Sequence, residues 1–156
     1  MDAAAGRGIE ALHRAIEGVS AKSAVHICYG YGIPANIAWK ASLGGEWRQY
    51  EQFFPALAKS RIDQVSIECI NSHVPISLLK LLDGKDVLIG AIDVATDKVE
   101  TPQEVAAVIG EAMKYVAKEK IVPCTNCGMA PMHRDVAEQK LKVLAKGAAL
   151  ARKQFG

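Results

Sequence analysis

Val87-Leu-Ile-Gly-Ala-Ile-Asp-Val94 is an almost unbroken apolar run, and such a run reads as a strand covered on both faces, as in a parallel sheet. Its surroundings extend that reading in both directions. Downstream, Thr101-Pro-Gln-Glu104 has the form of a capping box with proline at the first helical position, opening a helix to about Lys118. Ile121–Thr125 follows as a strand, and residues from about Arg134 to Arg152 as a terminal helix. Upstream, Gln64–Glu68 reads as a strand and Ile76–Leu82 as a short helix. Before these come a strand, Ala24–Cys28, and the loop Tyr29-Gly-Tyr-Gly-Ile-Pro34. A helix then runs from about Glu46 to Lys59, with Trp47, Tyr50, Phe54 and Leu57 along one face. Ile9, Leu12, Ile16 and Val19 recur at spacings of three and four, which predicts a first helix from about Ile9 to Val19.

The pattern is four strand–helix units preceded by one helix. Such alternation argues an α/β fold with a parallel sheet and helices packed outside it. Four units make either a small open sheet or half of a (β/α)8 barrel, which typically needs ~250 residues. The chain has 156 residues, half of them hydrophobic, enough for a single domain over 1–156 with a real core. No linker, low-complexity segment or repeat interrupts it. The net charge is +2, with basic residues scattered among acidic ones, so a nucleic-acid footprint is absent. Met-Asp-Ala-Ala-Ala-Gly-Arg-Gly at the start has no apolar signal core, and no apolar run is long enough to span a bilayer. Four cysteines and four histidines then read as cytosolic thiols and imidazoles, which predicts a cytoplasmic protein with no membrane partner.

Candidate chemistry gathers at the strand ends, where parallel α/β folds place their sites. His26 and Cys28 lie two apart, so a strand points imidazole and thiol to one face and sends Val25 and Ile27 to the other. That pair suits zinc if other strands complete the set. Taken singly, a strand histidine is more often a satisfied core residue, and a buried free cysteine is usually a small hydrophobe. Glu68 is sharper, because a charge closing Val65-Ser-Ile-Glu68 is expensive to bury unless paired or bound to metal. Cys69 falls on the opposite face and reads as packing. Cys124 and Cys127 form a C-x-x-C, readable as a redox pair or as metal ligands, of which only one need face a site. His13 and His133 fall on predicted helices and read as solvated, while His73 follows Glu68 in a loop with no assigned role. Asp93, near the end of the third strand, is a substrate-binding candidate by position.

These residues carry a resemblance. Val25-His-Ile-Cys-Tyr-Gly30, Val65-Ser-Ile-Glu68 with Ser72, Gly90-Ala-Ile-Asp-Val94 and Thr125-Asn-Cys-Gly128 resemble, in order, the C-terminal part of the cobalamin-independent methionine synthase family. Within that family the chain is most similar to the short forms that lack the N-terminal barrel of the long enzymes. The resemblance implies the second half of a TIM (β/α)8 barrel. It also implies a zinc ion on His26, Cys28, Glu68 and Cys127, and a methyltransferase of methionine biosynthesis with homocysteine as methyl acceptor. Another thiol of the coenzyme M kind is the alternative acceptor. Long family members have a histidine directly after the Asp-Val of the third segment, which helps protonate a folate leaving group. Here that residue is Ala95, so the resemblance points away from methyl-folate towards a methylated corrinoid or a partner protein as donor. The earlier barrel strands have no counterpart, so a truncated or split chain is expected, with a second copy or a complementing N-terminal half closing the barrel; the alternative function is that of a catalytically incomplete half-barrel that needs such a partner.

Overall fold

The structure, a computed structural model, describes residues 3–31 and 33–156. Met1 and Asp2, at the start of the segment read as lacking a signal core, and Gly32 of the predicted Gly/Tyr loop lie outside them. In chain order the elements are α1 (Ala3–Ala15), β1 (Ala24–Ile27), α2 (Pro34–Ala41), α3 (Tyr50–Ala58), β2 (Gln64–Glu68), a 3₁₀ helix (Ile76–Leu82), β3 (Asp86–Ile92), α4 (Pro102–Ala112), a 3₁₀ turn (Lys118–Lys120), β4 (Ile121–Thr125) and α5 (Arg134–Phe155). All strand pairs are parallel, and the sheet order follows the chain: β1-β2-β3-β4.

Strand alternation sorts the side chains into two rows. Val25, Val65, Val87 and Ile121 lie in register, as do Ile27, Ile67, Ile89 and Pro123. The central members of these rows, Val65, Ile67, Val87 and Ile89, are buried to 0–1% exposure. They join one hydrophobic core with Phe54 and Leu57 of α3, Leu78, Leu79 and Leu82 of the 3₁₀ helix, and Val105 and Ile109 of α4. Proline is tolerated at position 123 because β4 is an edge strand, where a missing N–H costs the ladder little. The other row, His26, Ser66, Leu88 and Val122, looks away from that core, and Val122 is 43% exposed. The run at Val87–Val94 therefore makes a strand fully covered on its helix side, while Leu88 on the other face is only partly covered.

Element boundaries differ from expectation in ways that packing explains. α1 starts and ends earlier than predicted: alanines favour the start, and Gly18 in a left-handed conformation (φ 77°) follows its end. Ile9, Leu12 and Ile16 pack against the core, whereas Val19 is 56% exposed and does not. α3 begins at Tyr50, not Glu46, yet Trp47 is still buried through its position just before the helix. α4 carries the full capping box but stops at Ala112 rather than Lys118. α2 was absent from the sequence reading because it buries no residue: Ile37 and Trp39 are both exposed, so no apolar stripe announces it. Among the described residues no helix is long and apolar enough to cross a membrane.

Candidate metal centre

His26 sits on β1, Cys28 immediately beyond it, and Cys127 two residues beyond β4. These belong to opposite edges of the sheet. In a flat sheet such edges would stand about 14 Å apart, three inter-strand spacings. Instead the Cys28 and Cys127 sulfurs are 3.6 Å apart, and one ligand atom each from His26, Cys28 and Cys127 lies within 4.8 Å of the others. The sheet is therefore curled about the face that carries His26, as a barrel wall is.

Each member has a local reason for its place. His26 Nδ1 lies 2.9 Å from the Ser66 hydroxyl, its register partner on β2. Burial lowers the imidazole below its ordinary value, with the charge of Glu68 opposing, which favours the neutral ring. The Gly30 amide donates to the Cys28 sulfur at 3.4 Å. Burial still pushes the Cys28 thiol up to about 11, with that amide opposing. Cys127 is placed through Asn126, which is 0% exposed. The Asn126 amide donates to Ile92 O (2.8 Å), its Nδ2 donates to Ile70 O (2.7 Å), and its Oδ1 accepts from Cys69 N (3.0 Å). The end of β4 is thereby tied to the two residues that follow Glu68.

Glu68, at the end of β2, is only 2% exposed. It is not one of the three clustered residues. Its Oε1 accepts from the Tyr29 backbone amide (2.8 Å) and its Oε2 from the Tyr31 hydroxyl (2.6 Å). The Tyr29 ring is wedged against Trp47 and Tyr50, with centroids 4.8 Å away in both cases, and its hydroxyl donates to Gln49. The apolar face read from Trp47, Tyr50, Phe54 and Leu57 thus supports the loop that holds Glu68. Burial, then the bond to Glu68, raises the Tyr31 phenol well above its ordinary value, so it remains a donor. The Tyr50 hydroxyl is buried with no hydrogen-bond partner among the described residues.

The C-x-x-C is split between two environments. Cys124 lies 3.7 Å from the Ser66 hydroxyl and donates to Thr125 O, while Cys127 meets Cys28. Cys69 packs against the core, and burial pushes its thiol up to about 12. Asp93 stands apart from the three clustered residues: its Oδ1 accepts from the Ala95 amide (2.8 Å) and its Oδ2 from Asn71 Nδ2 (3.1 Å). His13, expected to be solvated, instead accepts from the Arg61 amide at 3.0 Å, joining α1 to the end of α3. His133 is exposed at the N-cap of α5, and His73 lies against Trp47 (4.8 Å) with its Nδ1 at Gly45 O.

A cavity of about 520 Å³ opens beside Glu68, walled by Tyr31, Lys40, Trp47, Ala95 and Met132 among others. Lys40, from α2, lies 4.7 Å over the Tyr31 ring and donates to Gly30 O at 2.7 Å. Sequence reasoning missed Ser66, Asn126, Tyr31 and Lys40. Ser66 was within reach, because it lies two before Glu68 on the same strand face. The other three have no periodic signal.

Comparison with known proteins agrees with this architecture. Residues 47–150 match the family described as Cobalamin-independent synthase, Catalytic domain. The methionine synthase of Saccharolobus islandicus is 31% identical over 150 residues, covering 95% of this chain and 40% of that protein. The methionine synthase of Sulfurisphaera tokodaii is 30% identical over 148 residues, covering 94% of this chain and 38% of that protein. The chain thus spans about 40% of the length of the curated relatives it matches. A solved structure of a B12-independent methionine synthase from Shewanella sp. W3-18-1, in complex with selenomethionine, superposes with a TM-score of 0.89 at 57% identity, covering 95% of this chain and 43% of that one. Four parallel β–α units in sequential order, curled with their helices outside and α1 in front, are the half-barrel arrangement expected of such relatives. The chain belongs to the cobalamin-independent methionine synthase family.

Proposed function

We propose that this chain carries the thiol-activating half of a zinc-dependent methyltransferase, with homocysteine as methyl acceptor and methionine as product. The supporting observation is the convergence of His26, Cys28 and Cys127 from opposite sheet edges to within 4.8 Å. One imidazole and two thiols are a donor set suited to zinc, and the fit is good for a tetrahedral ion that still needs one ligand. Glu68 is proposed as that fourth ligand, since its buried carboxylate lies at the end of the neighbouring strand. Zinc held there would lower the pKa of a substrate thiol, so that sulfur is presented as a nucleophilic thiolate at neutral pH.

The residues divide the remaining work. Ser66 at His26 Nδ1 leaves Nε2 as the ring nitrogen for an ion. Two thiolates and one carboxylate give the donor set a charge of about −3, and exchanging the carboxylate for a substrate thiolate leaves that charge unchanged. Glu68 is therefore the exchangeable donor, with His26, Cys28 and Cys127 permanent. The cavity beside Glu68 offers room for the acceptor and the approaching methyl group. Asp93, fixed by Asn71 and the Ala95 amide, is proposed to orient the substrate amino group. Ala95 on the cavity wall supplies no proton to a leaving group. This supports a donor such as a methylated corrinoid, whose metal leaves with the bonding electron pair and needs no proton. The reading places the protein in the cytoplasm.

A second feature of the proposal concerns assembly. Val122 on the concave face is 43% exposed, and β1 and β4 each have one paired side among the described residues. A complementing N-terminal half or a second copy would cover both. Zinc stoichiometry on the purified protein tests the core of the reading. One zinc per chain is expected, lost in Cys127→Ser and retained in Cys124→Ser. A folded protein that takes up no zinc, or loses it in Cys124→Ser alone, overturns the assignment.

A further inference from the structure

We propose that Tyr31, with the Tyr29 backbone amide, forms a holding site for the Glu68 carboxylate off the metal, and so sets how readily a substrate thiol enters. This rests on the reading of Glu68 as the exchangeable donor. A buried carboxylate that gives up an ion needs replacement partners, or its release is prohibitively costly. The structure supplies one donor for each oxygen: Tyr29 N to Oε1 at 2.8 Å and Tyr31 Oη to Oε2 at 2.6 Å. Glu68, at 2% exposure, has little access to water as a substitute.

The receptacle is built from the chain's own loop and from α2. Lys40 ties the loop through Gly30 O and lies over the Tyr31 ring. Tyr31, Lys40 and Glu68 also face the same cavity. A thiol arriving through that cavity meets the carboxylate where Tyr31 is placed to receive it. Tyr31 thus acts through Glu68 and is a positioning residue. The tyrosine hydroxyl and the ion compete for one carboxylate, so removing the hydroxyl strengthens metal retention and weakens thiol entry together.

The test uses Co²⁺ as a chromophoric probe with wild type, Tyr31→Phe, Glu68→Ala and the double variant. Metal affinity is read by chelator competition, and homocysteine binding by sulfur-to-cobalt charge-transfer absorption. In Tyr31→Phe, loss of a hydrogen bond to a charged group is expected to raise cobalt affinity about tenfold and weaken homocysteine binding by a similar factor. In Glu68→Ala, adding Tyr31→Phe is expected to change neither quantity. Equal homocysteine affinity in wild type and Tyr31→Phe overturns this proposal alone. So does a fall in cobalt affinity in Tyr31→Phe, which would make Tyr31 a purely structural prop. Failure of the wild type to bind cobalt through His26, Cys28 and Cys127 overturns the metal reading as well, and is seen before any Tyr31 comparison.

Discussion

A Cβ on Gly90 would run into Asn126 Oδ1 and lie 2.8 Å from Asn126 Cα and 2.9 Å from Ile67 O. Only glycine lets the Asn126 side chain cross β3 to reach Cys69 N and Ile70 O. Two of the three obstacles are backbone or backbone-linked atoms, which cannot rotate away. Gly90→Ala is therefore expected to cost about 2–4 kcal/mol, read as a lowered urea midpoint. It should also lower zinc occupancy of the proposed site, because Cys127 adjoins the displaced residue. At this scale the sequence was informative where chemistry and period coincide. His26 and Cys28 stand out by their i, i+2 spacing, and Glu68 as a charge ending an apolar strand. Spacing alone cannot choose between Cys124 and Cys127. What separates them is that Cys124 still lies on the strand, over Ser66, while Cys127 lies past its end.

Among the elements, α4 shows local chemistry working as its sequence implies. The Thr101 hydroxyl accepts from Glu104 N (3.2 Å), and the Glu104 carboxylate accepts from Thr101 N (2.7 Å) and Lys98 Nζ (2.9 Å). Thr101→Ala removes the cap and is expected to cost about 1 kcal/mol, a Tm loss of about 2–4 °C. The Thr101 amide, then Lys98 and the Thr101 hydroxyl, hold the Glu104 carboxyl down at about 2, against an ordinary value of 4.5. Because the folded-state pKa is depressed, this stabilisation is fully present above pH 4.5 and is lost as the pH falls towards 2. Glu104→Gln should therefore flatten the acid limb of a stability–pH profile within that window, with its loss of stability largest above pH 4.5 and vanishing towards pH 2. α4 was legible because its start signal is made by side chains three residues apart in the chain. α2 was not, since a helix that buries nothing leaves only Pro34 as a marker.

At the scale of the molecule, a buried ion pair joins the last helix to the sheet. Lys140 of α5, 0% exposed, donates to both Glu100 oxygens at 3.1 Å, to Asp93 O at 2.9 Å and to Lys98 O. Glu100 Oε1 also accepts from Asp93 N at 2.8 Å. The last helix is thus pinned to the end of β3, beside the candidate site. Lys140→Met would strand the Glu100 charge and is expected to cost about 3–5 kcal/mol, lowering Tm by about 10 °C. Adding Glu100→Gln should recover part of that loss, since the amide oxygen can still accept from Asp93 N. No periodicity reveals such a lysine, which reads on α5 as one more solvated charge.

The sequential strand order also governs how the protein is made. Every strand pairs only with its neighbours in the chain, so the sheet can be laid down one strand at a time as the polypeptide leaves the ribosome. The proposed metal-binding group cannot, because Cys28 precedes Cys127 by 99 residues. At about 5–20 residues per second, the first thiol waits roughly 5–20 seconds for its companion. On the proposed zinc reading, tight capture of an ion would be among the last events of biogenesis, and a loaded chain would be one that has been synthesised through β4 and curled correctly.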